Sequence, residues 1–162
     1  MDENLDVDLL SPLVLFPNGM IQHLTRSEPT VFDLANRFLG PNWFRRSQEN
    51  FMHLQDGYDH EQVINNATGS FMFLRLSTLK NLGGFDERYF LYMEDTDLTK
   101  SINAQGKALF SPKFEVIHEW QRSNHSLGGA KLMIISMYRY FDKWGWRFFL
   151  KFKIITDMLI TW

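Results

Sequence analysis

Three acids fall within four positions in the stretch YFLYMEDTDLTKSI, residues 89 to 102: Glu94, Asp95 and Asp97. They follow directly on an apolar aromatic run of Tyr89, Phe90, Leu91, Tyr92 and Met93. Carboxylates this close repel one another, and crowding of that kind pushes one of their pKa values upward. A carboxylate at a pocket edge beside aromatic walls can take a proton from a hydroxyl. The same spacing also suits the first turn of a helix, where unpaired N–H groups and the positive end of the dipole stabilise acids. Both readings stand on the residues alone. His118 is the other chemical candidate. It ends a short apolar run before Glu119 and Trp120, where a structural role and a metal-ligand role both fit. The remaining histidines have no metal-ligand spacing, and no phosphate loop or nucleophile motif is present.

Elements must position these groups. The stretch LVLFPNGMIQHL, residues 13 to 24, has two β-prone arms around Pro17-Asn18-Gly19, which predicts a hairpin. Val31, Leu34, Ala35 and Phe38 recur at helical spacing after Glu28-Pro29-Thr30 and stop at Gly40-Pro41. Residues 42 to 66 are polar and aperiodic and read as a long loop. GSFMFL, residues 69 to 74, reads as a buried strand. Ser77 is expected to cap a short helix over 78–82 that Gly83-Gly84 ends. Leu98 and Ile102 share one face of a helix closed by Gly106. Residues 108–110 and 114–117 are two short strand candidates around Ser111-Pro112. From Lys131 the pattern is helical and breaks at Gly145. The order is mixed, so the class is α/β or α+β.

The 162 residues are 44% hydrophobic, enough for one core. The net charge of −2 gives no general attraction to nucleic acid. From Lys131 onward, however, six basic residues face two acids, interleaved with Trp144, Trp146, Phe148, Phe149, Phe152 and Trp162. That pattern suits an anionic membrane surface, and equally a face packed on the body or on a partner. With no Cys, disulfides and thiolate metal sites are excluded. The acidic N-terminal stretch is unlike a signal peptide, and no apolar run reaches the length of a membrane span. The expectation is a cytoplasmic protein, peripheral at the inner face of the membrane.

The landmarks Gly69-Ser70-Phe71-Met72, Gly83-Gly84-Phe85-Asp86-Glu87, Glu94-Asp95 with Asp97-Leu98, Gly106 and Val116-Ile117-His118 occur in fixed order. In this the chain resembles the C-terminal half of family 2 glycosyltransferases, in particular the bacterial rhamnosyltransferase-like group, over residues 5 to 125. The resemblance implies the C-terminal, acceptor-side half of a GT-A (Rossmann-like) domain over 1–128. Its sheet would be incomplete, and basic aromatic amphipathic helices over 129–162 would follow. It implies transfer of a sugar from a nucleotide-sugar to a hydroxyl of a glycan or lipid-linked acceptor, with inversion, in cell-surface polysaccharide synthesis. Asp95 would be the general base, with Glu94 and Asp97 as its supports. Gly69, Ser70, Gly83, Gly84, Phe85 and Asp86 would form the acceptor floor. His118 would be a ligand of a divalent metal, Mg or Mn. The family's nucleotide-binding segment and its DxD precede the matched region, and Asp6-Val7-Asp8 carries those letters out of context. The chain thus resembles a fragment, expected to be inactive alone. It would work with the missing N-terminal half in trans, as a homo-oligomer, or as a non-catalytic module that binds an acceptor, a membrane surface or a partner glycosyltransferase.

Overall fold

The computed structural model describes residues 1, 4–34, 49, 51–52, 57–119 and 127–148. Four strands form one mixed sheet: β1 (Val7–Leu15), β2 (Gln62–Val63), β3 (Phe73–Leu74) and β4 (Lys107–Ile117), in the order β2-β4-β1-β3. Among the described residues, three full helices accompany it: α1 (Leu76–Asn81), α2 (Glu94–Asn103) and α3 (Leu127–Trp144). β1 and β4 pair in parallel, while β3 on β1 and β2 on β4 are antiparallel. β1 is apolar along nearly its whole length and buried on both faces, as expected of a central strand.

α2 places Leu98 and Ile102 on one face. They pack with Leu9, Ile64, Ala108 and Phe110 into the main core, each burial stabilising the fold by roughly 1.5–3 kcal/mol. A second cluster joins Leu34, Tyr89 and Met93 to Tyr140 and Phe141 of α3. The basic aromatic helix therefore lies on the body through its Tyr140 and Phe141 face, leaving Ile134 and Tyr138 exposed.

Several local expectations hold. Phe16 N–H bonds Met20 C=O at 2.8 Å across Pro17-Asn18-Gly19, and Gly19 takes φ +82°, although the returning arm pairs only at Ile21. Thr30 starts the helical turn 31–34 with a reciprocal pair: its Oγ1 accepts from Asp33 N–H and its own N–H donates to Asp33 Oδ2. The rest of that expected helix lies outside the described residues. Gly83 and Gly84 end α1 with φ +79° and +86°, and Gly145 ends α3 with φ +92°.

Other expectations need correction. Ser77 is not a cap: α1 starts at Leu76, Arg75 is its N-cap residue and no side chain caps it. The expected strand over 69–74 shrinks to Phe73–Leu74, because Gly69 to Phe71 turn toward α2. The two short strands around Pro112 are one strand. Its ladder with β1 slips there, from Pro12↔Ser111 to Leu13↔Glu115, and a residue without an N–H is accommodated at such a break. Part of the expected loop 42–66 is ordered by Tyr58, which is buried edge-on against Phe110 at 5.3 Å. Gln62–Val63 then pairs with β4.

Candidate active site

The acidic run is the start of α2, with Glu94, Asp95 and Asp97 in its first turn. The capping residue, Met93, makes no side-chain cap hydrogen bond. Met93 and Tyr92 both hold φ +68°, an uncommon conformation for non-glycine residues. This strained reversal turns the chain from the aromatic run into the helix. Tyr89 points inward and Phe90 is left 82% exposed.

Three contacts fasten the start of α2 to the loop before β3. Gly69 N–H donates to Asp95 Oδ2 at 2.8 Å. Thr96 Oγ1 lies 3.1 Å from Asn66 Oδ1, and Ala67 N–H donates to Thr99 Oγ1 at 3.2 Å. The result is a cleft of about 300 Å³ whose lining includes Asp95, Glu94, Gly69, Ser70, His118 and Gln22.

The two neighbouring carboxylates differ. Asp95 is held as an acceptor on both oxygens, since Thr96 N–H donates to Oδ1 at 2.7 Å and Gly69 N–H to Oδ2. These bonds fix its direction. Glu94 has a buried Oε2 with no partner among the described residues. Burial pushes its pKa up, the adjacent Asp95 charge adds to the rise, and a backbone hydrogen bond offsets part of it.

Asp97 does not face this cleft. It is 3% exposed and accepts from Trp144 Nε1 at 2.6 Å, Lys143 Nζ at 2.8 Å and Tyr89 Oη at 3.3 Å. Its position is a correction to the expected acidic trio: the backbone brings the three acids into one turn, and the helix then points the third toward α3. The expected acceptor floor also divides. Gly69 and Ser70 line the cleft, whereas Gly83, Gly84, Phe85 and Asp86 line a smaller hollow of about 170 Å³ with Asp97 and Lys143. Asp86 is bonded by Arg88 and by Lys143, whose Nζ is 3.1 Å away. The Arg88 guanidinium, against the opposing effect of burial, holds its carboxyl well below the usual range.

His118 lines the cleft from the end of β4, its N–H bonded to Leu15 C=O at 2.9 Å. Among the described residues, no three His, Cys, Asp or Glu side chains come together to hold a metal, so these residues do not fit a complete metal centre. Asp8 serves the sheet: Thr78 Oγ1 donates to it at 2.5 Å and Arg75 Nε stands 3.3 Å away. Asp6 pairs with Lys107. Sequence reasoning missed Gln22, Asn66 and Thr96. Only the turn after β1 and the loop before β3 bring the first two to the cleft, and neither leaves a spacing signal.

The N-acetylglucosaminyl-diphospho-decaprenol L-rhamnosyltransferase of Mycobacterium tuberculosis is 32% identical over 121 residues, which is 74% of this chain and 38% of that protein. The rhamnosyltransferase WbbL of Escherichia coli K12 is 37% identical over 67 residues, 41% of this chain and 25% of that protein. The chain is a homologue of the bacterial rhamnosyltransferases. It spans under two-fifths of the length of these curated relatives. No family model and no solved structure matches this rhamnosyltransferase homologue.

Proposed function

We propose that this rhamnosyltransferase homologue contributes the acceptor side of a glycosyltransferase with a GT-A-like architecture. The reaction would transfer a sugar from a nucleotide-sugar to a hydroxyl of a glycan or lipid-linked acceptor, with inversion, in polysaccharide synthesis. One observation carries the reading. The Asp95 carboxylate, in a chain related to rhamnosyltransferases, is aimed by two backbone N–H groups at the edge of a cleft. A proton on an acceptor hydroxyl would pass to Asp95 Oδ2 as the hydroxyl oxygen bonds to the anomeric carbon. The bond from that carbon to the donor's diphosphate breaks as the new one forms, and the electron pair leaves with the phosphate. Glu94 would confine the acceptor beside Asp95, and Asp97 would hold the wall formed by α3. The resemblance implies a divalent metal with His118 as a ligand. Among the described residues no three ligating side chains come together, so no step is assigned to the ion.

The test uses the chain together with the N-terminal part of a relative supplied in trans, with nucleotide-activated L-rhamnose and a lipid-linked acceptor. Transfer is expected with that part and not without it. Asp95→Asn should lower transfer by at least ~10²-fold, the usual scale for removing a general base, with an unchanged melting profile. Undiminished transfer by that variant would remove Asp95 from the mechanism. If the pair gives no transfer while the chain alone retains the acceptor, the binding-module reading replaces this one.

We further propose that the face around α3 meets a membrane surface. Trp146 and Phe148 stack on one another at 6.2 Å and are 48% and 57% exposed. Among the described residues, no helix is long and apolar enough to cross a membrane.

A further inference from the structure

Asn66 lines the cleft and is 3% exposed. Its backbone is pinned on both sides. Arg26 N–H donates to its C=O at 3.2 Å, and the next N–H, that of Ala67, donates to Thr99 Oγ1 at 3.2 Å. At the tip of the side chain, Oδ1 accepts from Thr96 Oγ1 at 3.1 Å. The same hydroxyl stands 3.2 Å from Asp95 Oδ1, so one hydroxyl separates the Asn66 amide from the Asp95 carboxylate. Among the described residues, no group accepts from Nδ2. A buried amide with an unused end costs free energy until a ligand or water completes it. Reversing the amide would give Nδ2 to Thr96 and turn Oδ1 to the cleft, so one end faces the cleft in either orientation. A hydroxyl both donates and accepts and satisfies either end, whereas a phosphate or carboxylate oxygen only accepts.

We infer that Asn66 selects the acceptor: the free end of its amide hydrogen-bonds a second hydroxyl of the pyranose whose first hydroxyl faces Asp95. The substrate class is then a sugar with a free hydroxyl beside the one that reacts. A sugar lacking that neighbour leaves a buried amide unpaired and is rejected on that account. The same loop supplies further polar groups at this wall, since Thr68 Oγ1 and Ser70 Oγ lie 2.9 Å apart and both line the cleft. The inference rests on the proposed function for the role of the first hydroxyl; the contact between Asn66 and a sugar does not need transfer to occur.

The experiment is NMR on the ¹⁵N-labelled chain, titrated with the methyl glycosides of glucose, galactose, rhamnose and N-acetylglucosamine. The side-chain NH₂ pair of Asn66 is expected to shift with at least one of them. Monodeoxy analogues of that sugar should then bind more weakly, by about 3–10-fold for each neutral hydrogen bond lost. For one ring position the penalty should vanish in Asn66→Leu, while the penalties at the other positions and the melting profile are kept. A Leu variant with every penalty unchanged would overturn the assignment. So would an Asn66 NH₂ pair that stays in place while the Gly69 N–H signal shifts, or a cleft that takes none of these sugars. The wild-type shift needs no variant, so the test survives a Leu protein that fails to fold. Binding is read without a donor. If the sugar moves Asn66 while Asp95→Asn leaves transfer undiminished, the Asn66 contact stands and the role of Asp95 falls.

Discussion

At the scale of single residues, a methyl group on Gly106 would stand 1.9 Å from Asp8 Oδ2 and 2.9 Å from its Cγ. Asp8 is buried and tied to Thr78 and Arg75, so it has little freedom to move aside. Gly106→Ala is therefore expected to cost about 1–3 kcal/mol, the usual scale for overpacking, read as a lower urea midpoint at unchanged slope. A wild-type midpoint would show that the Asp8 pocket has slack. Gly69→Ala is the internal contrast, since its added carbon would meet Asp95 only at 3.6 Å, ordinary contact. That Glu94 and Asp95 start a helix was legible in the sequence, because acids suit the unpaired N–H groups of a first turn. Which of the two is aimed and which is left with an unpartnered oxygen was not legible. That difference depends on Gly69, 26 residues away in the chain.

At the scale of elements, α3 is clamped to α2 through one carboxylate. Asp97 takes hydrogen bonds from Lys143 and Trp144 at the end of α3 and from Tyr89 before α2. Asp97→Ala would leave a half-buried ammonium with only Asp86 and an indole N–H without its acceptor. The expected loss is about 2–4 kcal/mol, near the range for breaking a buried ion pair. Amide exchange should quicken across residues 127–144 first, while β1 and β4 stay protected. Uniform acceleration throughout the chain would mean that α3 is not a separable unit. The helices were largely legible because apolar spacing and glycine stops are local signals, as at Leu98, Ile102, Gly106 and Gly145. The strands were less so. Phe73–Leu74 and Gln62–Val63 are two-residue edges whose pairing is decided by β1 and β4, and no window of sequence around them contains that information.

At the scale of the whole molecule, three of the four described basic side chains from Lys131 onward, those of Arg139, Lys143 and Arg147, are engaged internally. Lys143 bonds Asp86 and Asp97, Arg147 bonds Glu28, and Arg139 bonds the Arg88 carbonyl. Burial would raise the Glu28 pKa, but hydrogen bonds from Lys100 and Arg147 outweigh it and hold the carboxyl below its ordinary value. Electrostatic attraction to a membrane is thereby reduced, and contact would fall mainly to exposed apolar groups. In vesicle sedimentation the chain is expected to bind anionic vesicles. Trp146→Ala with Phe148→Ala should weaken binding more than Lys131→Ala does, since ~1 kcal/mol is the scale for one basic residue near such a surface. No sedimentation, or a stronger effect from Lys131, would overturn that membrane reading.

The parallel pairing of β1 with β4 has a consequence for how the molecule assembles over time. Leu9 sits opposite Ala108, so about one hundred residues must be closed into a loop before the central pair of the sheet can form. Contacts of such long range slow folding. During synthesis β1 leaves the ribosome early and waits, apolar on both faces, until β4 emerges to pair with it. Its antiparallel partner β3 arrives sooner, yet covers only Leu9 and Leu10. In that interval the most buried of the described strands is left exposed, which is an aggregation hazard.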